Sequence, residues 1–389
     1  MRIGIDATSW TNRRGFGRFT RNAVSRLVAL DADASYVLVI DGDSADAAGL
    51  PSGVEITRVT LDHPPGEAAA AGSNRSVRDM LRLIRAVRRE RLSAFLFPSL
   101  YTYFPVPGVP TVVGVHDTIA DEHPELTFPA RRSRILWSLK QRIAMQTATR
   151  IFTVSEASRK ALLARSPALG DRLVVVPEAP DPVFTVRGES DIAEELVRLG
   201  IQPDAGFFLY SGGISPHKNI ETLLDAYAAL RARRMDAPAL VLVGDLDRET
   251  YVSAAADVRR RIDELGVRQH VVLPGFVSDT TLACLYSRAT AVVLPSLAEG
   301  FGLPAVEAAA CGAPVILSDL PAHRESLADG GLYFSPRDTV ALTAALTLML
   351  DDPQARASLA ARAHAAVADM SWDGAATTLR ELLAEVARP

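Results

Sequence analysis

The stretch Pro295-Ser-Leu-Ala-Glu-Gly-Phe-Gly-Leu-Pro-Ala-Val-Glu-Ala-Ala-Ala-Cys-Gly312 decides how the rest of the chain is read. It follows a short apolar run, Ala291-Val-Val-Leu294, which predicts a buried strand. Gly300 and Gly302 then turn the chain, and Pro304 suits the first helical position, where its missing N–H costs no hydrogen bond. Gly312 marks the helix stop. A strand, a glycine-bearing loop and a helix N-terminus in that order form an anion site. Two carboxylates accompany it, Glu299 in the loop and Glu307 in the helix, with seven residues between them.

Backbone amides at Phe301, Gly302 and Leu303 suit phosphate oxygens, while carboxylates accept hydrogen bonds from hydroxyls. Phosphates together with many hydroxyls describe a nucleotide-sugar. Taken singly, Glu307 also fits a helix-dipole partner and Glu299 a solvated loop acid. The agreement of strand, glycines and spacing favours the site. The segment, continuing through Cys311-Gly-Ala-Pro-Val-Ile316, resembles the Glu-x7-Glu signature of the retaining glycosyltransferases with the GT-B fold, glycosyltransferase family 4. The resemblance implies an α/β architecture of two Rossmann-like doubly wound domains facing a central cleft. The donor would lie in the C-terminal domain and the acceptor in the N-terminal one.

At 389 residues the chain exceeds one ordinary core and suits two domains, here residues 1–180 and 181–370, with 371–389 as a terminal helix. The resemblance implies that this helix crosses back to the first domain. An apolar fraction of 48% with 23% charged residues excludes a disordered chain. No run of 18 apolar residues is present, which excludes a spanning helix, and Met1-Arg-Ile-Gly-Ile-Asp6 opens as a strand rather than a signal peptide. Cys284 and Cys311 lack metal-ligand spacing and read as reduced packing residues, so a cytoplasmic enzyme is expected. Residues 1–180 hold 24 of the 42 Lys and Arg but 18 of the 46 Asp and Glu, a net +6 against −10 for the remainder. A basic half beside an acidic half suggests that the first domain faces something anionic.

Along the chain, Ile3 to Asp6 predicts a strand, then Gly15-Phe-Gly17 opens a helix. Thr20 replaces the third glycine of a dinucleotide fingerprint, which disfavours an oxidoreductase. The resemblance instead makes Gly15 and Gly17 a flexible loop whose amides approach the donor phosphate. Tyr36 to Ile40 reads as a second strand, and residues 41–73, rich in Asp, Gly, Ala and Pro, as irregular loops. Arg75 to Leu92 predicts an arginine-rich helix with an apolar side at Val77, Met80, Leu81, Leu83, Ile84 and Val87. Its basic face is either solvated or a contact with an anionic acceptor or the inner membrane face; no motif suggests nucleic acid. Thr111 to Val115 predicts a strand ending in His116-Asp117, where open parallel sheets place ligands. This pair resembles the family's Val-His-Asp element, making His116 a candidate contact to donor sugar or acceptor. Arg131 to Arg150 predicts a helix burying Ile135, Leu136, Leu139, Ile143 and Met145.

In the second domain, Phe207 to Tyr210 predicts a strand, followed by Ser211-Gly-Gly-Ile-Ser-Pro-His-Lys-Asn219 and a helix with Ile220, Leu223, Leu224, Tyr227 and Leu230 on one face. Lys218 would bring a cation to the departing diphosphate. This loop resembles the family's Pro-Arg-Lys-Asn element, with His217 in place of arginine and Gly212 or Gly213 where many members carry a second arginine. Glu178-Ala179 stands where Asn-Gly is common, in the proline-rich connection 177–184. Gly275 and Phe276 lie in a loop that frames the nucleobase in the family.

The resemblance implies a mannosyltransferase-like hexosyltransferase of glycan biosynthesis using a UDP- or GDP-linked sugar and a glycan, lipid-linked or small-molecule acceptor. Glu307 would hold ribose hydroxyls. Glu299 would hold the sugar, with Lys218, His217, Gly213, Gly17 and the amides at Phe301, Gly302 and Leu303 on the diphosphate. No Asp-x-Asp element ends a strand of the second domain, so metal independence and no cofactor are expected. Two alternatives stand: a non-catalytic nucleotide-sugar-binding subunit, and a phosphorylase or epimerase of the same fold.

Overall fold

The structure, a computed structural model, describes residues 1–12, 15–42, 49–62, 76–202, 205–245 and 253–387. By contact the chain divides into two compact units, Met1–Glu178 with Ser371–Pro389, and Ala179–Met370. Each is a parallel sheet wrapped by helices.

The first unit holds seven strands: β1 (Arg2–Asp6), β2 (Ser35–Asp41), β3 (Glu55–Val59), β4 (Ala94–Phe97), β5 (Thr111–Gly114), β6 (Arg150–Thr153) and β7 (Leu173–Val175). They lie in the order β3-β2-β1-β4-β5-β6-β7, every pairing parallel. Tyr36 to Asp41 and Ala94 to Phe97 are buried at every residue, as expected of strands covered on both faces. Residues 41–73 are not wholly irregular, because Glu55-Ile-Thr-Arg-Val59 adds the edge strand β3. Most of its side chains reach solvent, so its composition hides a strand that takes its ladder from β2. Residues 43–48 and 63–75, Arg75 among them, lie outside the described residues.

The terminal helix, Trp372–Val386, packs on the helix Gly15–Leu30 of the same unit. Trp372 stands edge-on to Phe19 at 5.8 Å, and Arg26 pairs with Asp373. The arginine-rich helix spans Val77–Arg89 and buries Leu83 and Val87, while Val77 and Leu81 stay exposed.

A larger correction concerns the helix Arg131–Thr147. It buries Ser133, Trp137 and Ala144, not the expected stripe: Ile135, Leu136 and Leu139 are 66%, 42% and 52% exposed. Trp137 lies 5.0 Å from Tyr101, and Lys140 Nζ donates to the Tyr101 carbonyl at 2.5 Å, so the aromatic side is the one that docks. Apolar periodicity identifies a stripe without saying what covers it.

The second unit holds β8 (Phe207–Ser211), β9 (Ala239–Val243), β10 (Val271–Gly275), β11 (Ala291–Leu294), β12 (Val315–Ser318) and β13 (Gly331–Phe334). The order is β10-β9-β8-β11-β12-β13, all parallel. Strand order reverses between β8 and β11, and beyond the carboxyl ends of those two strands such a sheet opens a crevice for ligands. The helix Ile220–Arg233 buries Ile220, Leu223, Leu224, Tyr227 and Leu230, each apolar side chain contributing about 1.5–3 kcal/mol. Each unit is thus a doubly wound, Rossmann-like α/β domain.

Candidate active site

The loops after β8 and β11 leave the switch point of the second unit, and both carry the residues that the motifs single out. After β8 the chain runs to a short turn, Pro216–Lys218, then to Asn219, held in the left-handed region at φ 55°. Two hydrogen bonds fix Asn219: its amide nitrogen donates to the carbonyls of Pro295 at 2.9 Å and Pro336 at 2.6 Å. That anchorage aims Lys218 across to the loop after β11. Lys218 Nζ lies 2.6 Å from Glu299 Oε1, and Ser296 Oγ donates to the same oxygen at 2.7 Å. A further tie runs from the Leu297 amide to the His217 carbonyl at 2.8 Å. His217 Nδ1 lies 3.2 Å from Ser215 Oγ.

Burial alone pushes the Glu299 carboxyl up, but the Lys218 ammonium, His323 and the hydrogen bonds outweigh it and hold the group at about 2. Glu299 is therefore a carboxylate at any neutral pH, and the pair is a built ion pair at the crevice rather than a solvated contact.

The helix after β11 spans Leu303–Ala310, one residue earlier than Pro304 suggests, with Gly302 as its cap at φ 98° and ψ 45°. Only glycine takes that conformation without strain. The first N–H groups of a helix lack partners within it, and the helix dipole adds partial positive charge at this end. Phe301 and Leu303 are buried beside them. Glu307, in the second turn, is buried and close enough that, after burial itself, its charge helps push the Cys311 thiol up to about 12.

Other expected residues spread around this core. Gly213 is exposed, and its carbonyl accepts from the Tyr210 hydroxyl at 2.6 Å. Gly275 closes β10, its carbonyl accepting from the Gly244 amide at 3.2 Å, and Phe276 beyond it is exposed.

In the first unit, Gly15 and Gly17 belong to the first turn of the helix Gly15–Leu30 and not to a flexible loop. A Cβ at Gly17 would lie 2.1 Å from the Asn12 carbonyl oxygen, so close approach of backbone, rather than mobility, explains the glycine. His116 packs on Phe19 and Phe152, and its Nε2 donates to the Pro98 carbonyl at 2.7 Å. Burial lowers its pKa to about 4 against the raising effect of that bond, so the ring is neutral near pH 7. Its Nδ1 faces the buried Glu178 at 3.8 Å. Asp117 Oδ1 accepts from the Ile119 amide at 2.9 Å and thus caps a turn.

Nothing in the residue pattern pointed to His323. It lies in the first turn of the helix Pro321–Leu327, wholly buried against Gly302. The only available signal was position: Pro321-Ala-His323 follows the carboxyl end of β12, the neighbour of β11.

Known proteins resemble this chain in sequence and in fold. The chain is 33% identical over 236 residues to the O-antigen chain mannosyltransferase B of Escherichia coli, covering 60% of this chain and 60% of that protein. It is 35% identical over 193 residues to the D-inositol 3-phosphate glycosyltransferase of Jonesia denitrificans, covering 48% of this chain and 44% of that protein. The matches thus span about half the length of the curated relatives. Among solved structures, Anabaena HepE in complex with UDP-glucose superposes with a TM-score of 0.74 at 18% identity, covering 99% of both chains, a likeness of fold. Residues 13–183 match the family described as Glycosyltransferase Family 4, and residues 191–366 the family described as Glycosyl transferases group 1. Each of the two doubly wound units thus carries one glycosyltransferase-family match, and the likeness to solved structures is one of fold.

Proposed function

We propose that this chain transfers a hexose from a UDP- or GDP-linked sugar to an acceptor hydroxyl, with retention of configuration at the anomeric carbon. The observation that carries the reading is the Lys218–Glu299 pair, 2.6 Å apart at the switch point, beside the capped helix that begins at Leu303. A cation and the first amides of a helix stabilise the charge that builds on a departing diphosphate, and preorganised groups of this kind need no reorganisation during the reaction. Glu299 holds sugar hydroxyls and supports the positive charge that develops at the anomeric carbon. Glu307 accepts from the ribose hydroxyls. Retention rests on the spacing from Glu299 to Glu307 and its family resemblance. Lys218 with the helix N-terminus supplies the positive charge that a metal would otherwise provide, so the reaction is proposed to be metal-independent.

The test is release of nucleoside diphosphate from GDP-mannose and UDP-glucose in turn, with and without EDTA, and the anomeric configuration of the product. Replacing Glu307 by Ala should raise the donor KM at least about tenfold with a smaller change in kcat, the pattern of lost ground-state binding. An unchanged donor KM rejects the ribose role. His217, and Gly212 or Gly213, in place of two arginines favour a second reading, a nucleotide-sugar-binding subunit without turnover. Binding without any diphosphate release would establish it.

The acceptor side is proposed to rest on a membrane surface through the first unit. The sequence leaves the basic face of the helix read as Arg75 to Leu92 either solvated or such a contact, and in the helix Val77–Arg89 Arg82 is paired with Asp62 and Asp79. The helix Arg131–Thr147 suits it better: Arg132, Ile135, Leu136, Leu139 and Arg142 share one exposed stripe, with Arg131 and Arg134 beside it. Apolar side chains at the acyl boundary and arginines near anionic headgroups, each worth about 1 kcal/mol, are complementary to such a surface. Sedimentation with phosphatidylglycerol vesicles should exceed that with phosphatidylcholine. It should fall about tenfold or more in the Ile135→Asp, Leu139→Asp double variant. Equal sedimentation of the variant rejects this face.

A further inference from the structure

His323 is fully buried, and the geometry around its ring settles its neutral tautomer. Nδ1 lies 2.9 Å from the Ser318 carbonyl oxygen, which can only accept, so the hydrogen of the neutral ring is on Nδ1. Nε2 then presents a lone pair and is buried without a hydrogen-bond partner among the described residues. That nitrogen is set against the helix cap: a Cβ on Gly302 would lie 3.3 Å from Nε2 and 2.9 Å from Cδ2. A buried orphan of this kind calls for a functional explanation.

The groups around the ring are few. From the loop after β11, the Glu299 carboxylate favours the protonated ring; from the turn after β8, Lys218 disfavours it. On the ring's own helix, Arg324 is committed to Asp319 and lies over the Tyr333 ring, and the Tyr333 hydroxyl donates to the His323 carbonyl at 3.2 Å. Burial prevails, and the imidazole is held below its ordinary value. Lys218, and His323 once protonated, are the basic side chains that lower the Glu299 carboxyl.

Resting on the donor-site reading above, we propose that His323 is a positioning residue that takes a proton from solvent when a diphosphate settles on the Gly302 and Leu303 amides. The diphosphate draws on the Lys218 charge that otherwise neutralises Glu299. Imidazolium at His323 then supplies the charge that acts on that carboxylate in place of Lys218, and Nε2 becomes an N–H donor behind the glycine cap. Loop, carboxylate and ring thereby keep their charge balance whether Lys218 faces the carboxylate or the ligand. A further sign follows: donor binding is coupled to proton uptake, and affinity rises as pH falls toward 6, by at most tenfold per unit for one proton.

The experiment is calorimetric titration of the full chain with GDP-mannose and with UDP-glucose at pH 6.5 in two buffers of different protonation enthalpy. The diphosphate of a nucleotide-sugar is a diester that does not titrate near neutrality, so any uptake belongs to the protein. Wild type should take up a fraction of a proton, and His217→Asn should still do so. His323→Asn keeps a donor for the Ser318 carbonyl but lacks Nε2, and should bind without uptake. Should that variant not fold, the Cε1–H NMR signal of His323 in the wild type reports directly, moving to the imidazolium position on addition of donor. Binding without uptake, uptake that survives His323→Asn or disappears with His217→Asn, or an unmoved ring signal overturns the inference while leaving the donor site standing. No binding of either nucleotide-sugar removes both.

Discussion

Replacing Glu299 by Gln is expected to lower kcat for sugar transfer by about 10²–10³ while the chain stays folded. The amide oxygen of glutamine still accepts from Lys218 and Ser296, which now meet Glu299 at 2.6 and 2.7 Å, so the loop keeps its hydrogen bonds and loses only charge. What disappears is the negative group opposite a developing positive centre, an interaction stronger in the transition state than in the ground state. Donor KM should change far less than kcat. The pH dependence has a definite sign. Glu299 is held at about 2, below its ordinary 4.5, so its contribution to stability is complete above pH 4.5 and is lost as pH falls toward 2. The difference in stability between wild type and Glu299→Gln should therefore shrink over that interval. An unaltered kcat in the variant would falsify the sugar role.

Replacing Lys218 by Ala should slow the chemical step by about 10²-fold, because a cation aimed at the leaving diphosphate is removed. It should also lower thermal stability. The pair is mostly buried, and deleting one partner leaves the Glu299 carboxylate uncompensated, a loss of up to about 3 kcal/mol for a site with some solvent contact. The double variant separates the two effects. With both charges gone, the melting temperature should recover part of the loss, while kcat should fall little below that of the worse single variant, as for residues that act as a unit. Fully multiplicative rate losses would show that the two side chains act independently.

The stretch from Ala291 to Gly312 was legible because each of its signals is local. A β-branched apolar run, two glycines, a proline and a terminal glycine dictate strand, turn and helix through backbone sterics alone. Gly302 shows the limit: its positive φ follows from the turn, whereas the imidazole packed against it comes from a helix about twenty residues on. In the same way, Lys218 and Glu299 were each legible from their own loops, but 81 positions separate them, and neither loop reports that they share a hydrogen bond. The edge strand β3 escaped notice because an edge carries polar side chains and borrows its hydrogen bonds from a neighbour. The helix Arg131–Thr147 was legible as a helix and misread as to face, since Trp137, one aromatic anchor, outweighs three aliphatic side chains in choosing what docks.

By itself the sequence determined the alternation of strands and helices, the edge strand β3 excepted, and the loop-and-helix stretch from Ala291 to Gly312, because propensity, turn chemistry and capping act over a few residues. Only the tertiary structure decided which charges meet. The order β10-β9-β8-β11-β12-β13 brings three strand ends together, and with them Lys218, Glu299 and His323 from remote parts of the chain. Burial then sets their protonation, since the desolvation that holds His323 neutral and the ion pair that keeps Glu299 charged exist only once those loops have packed.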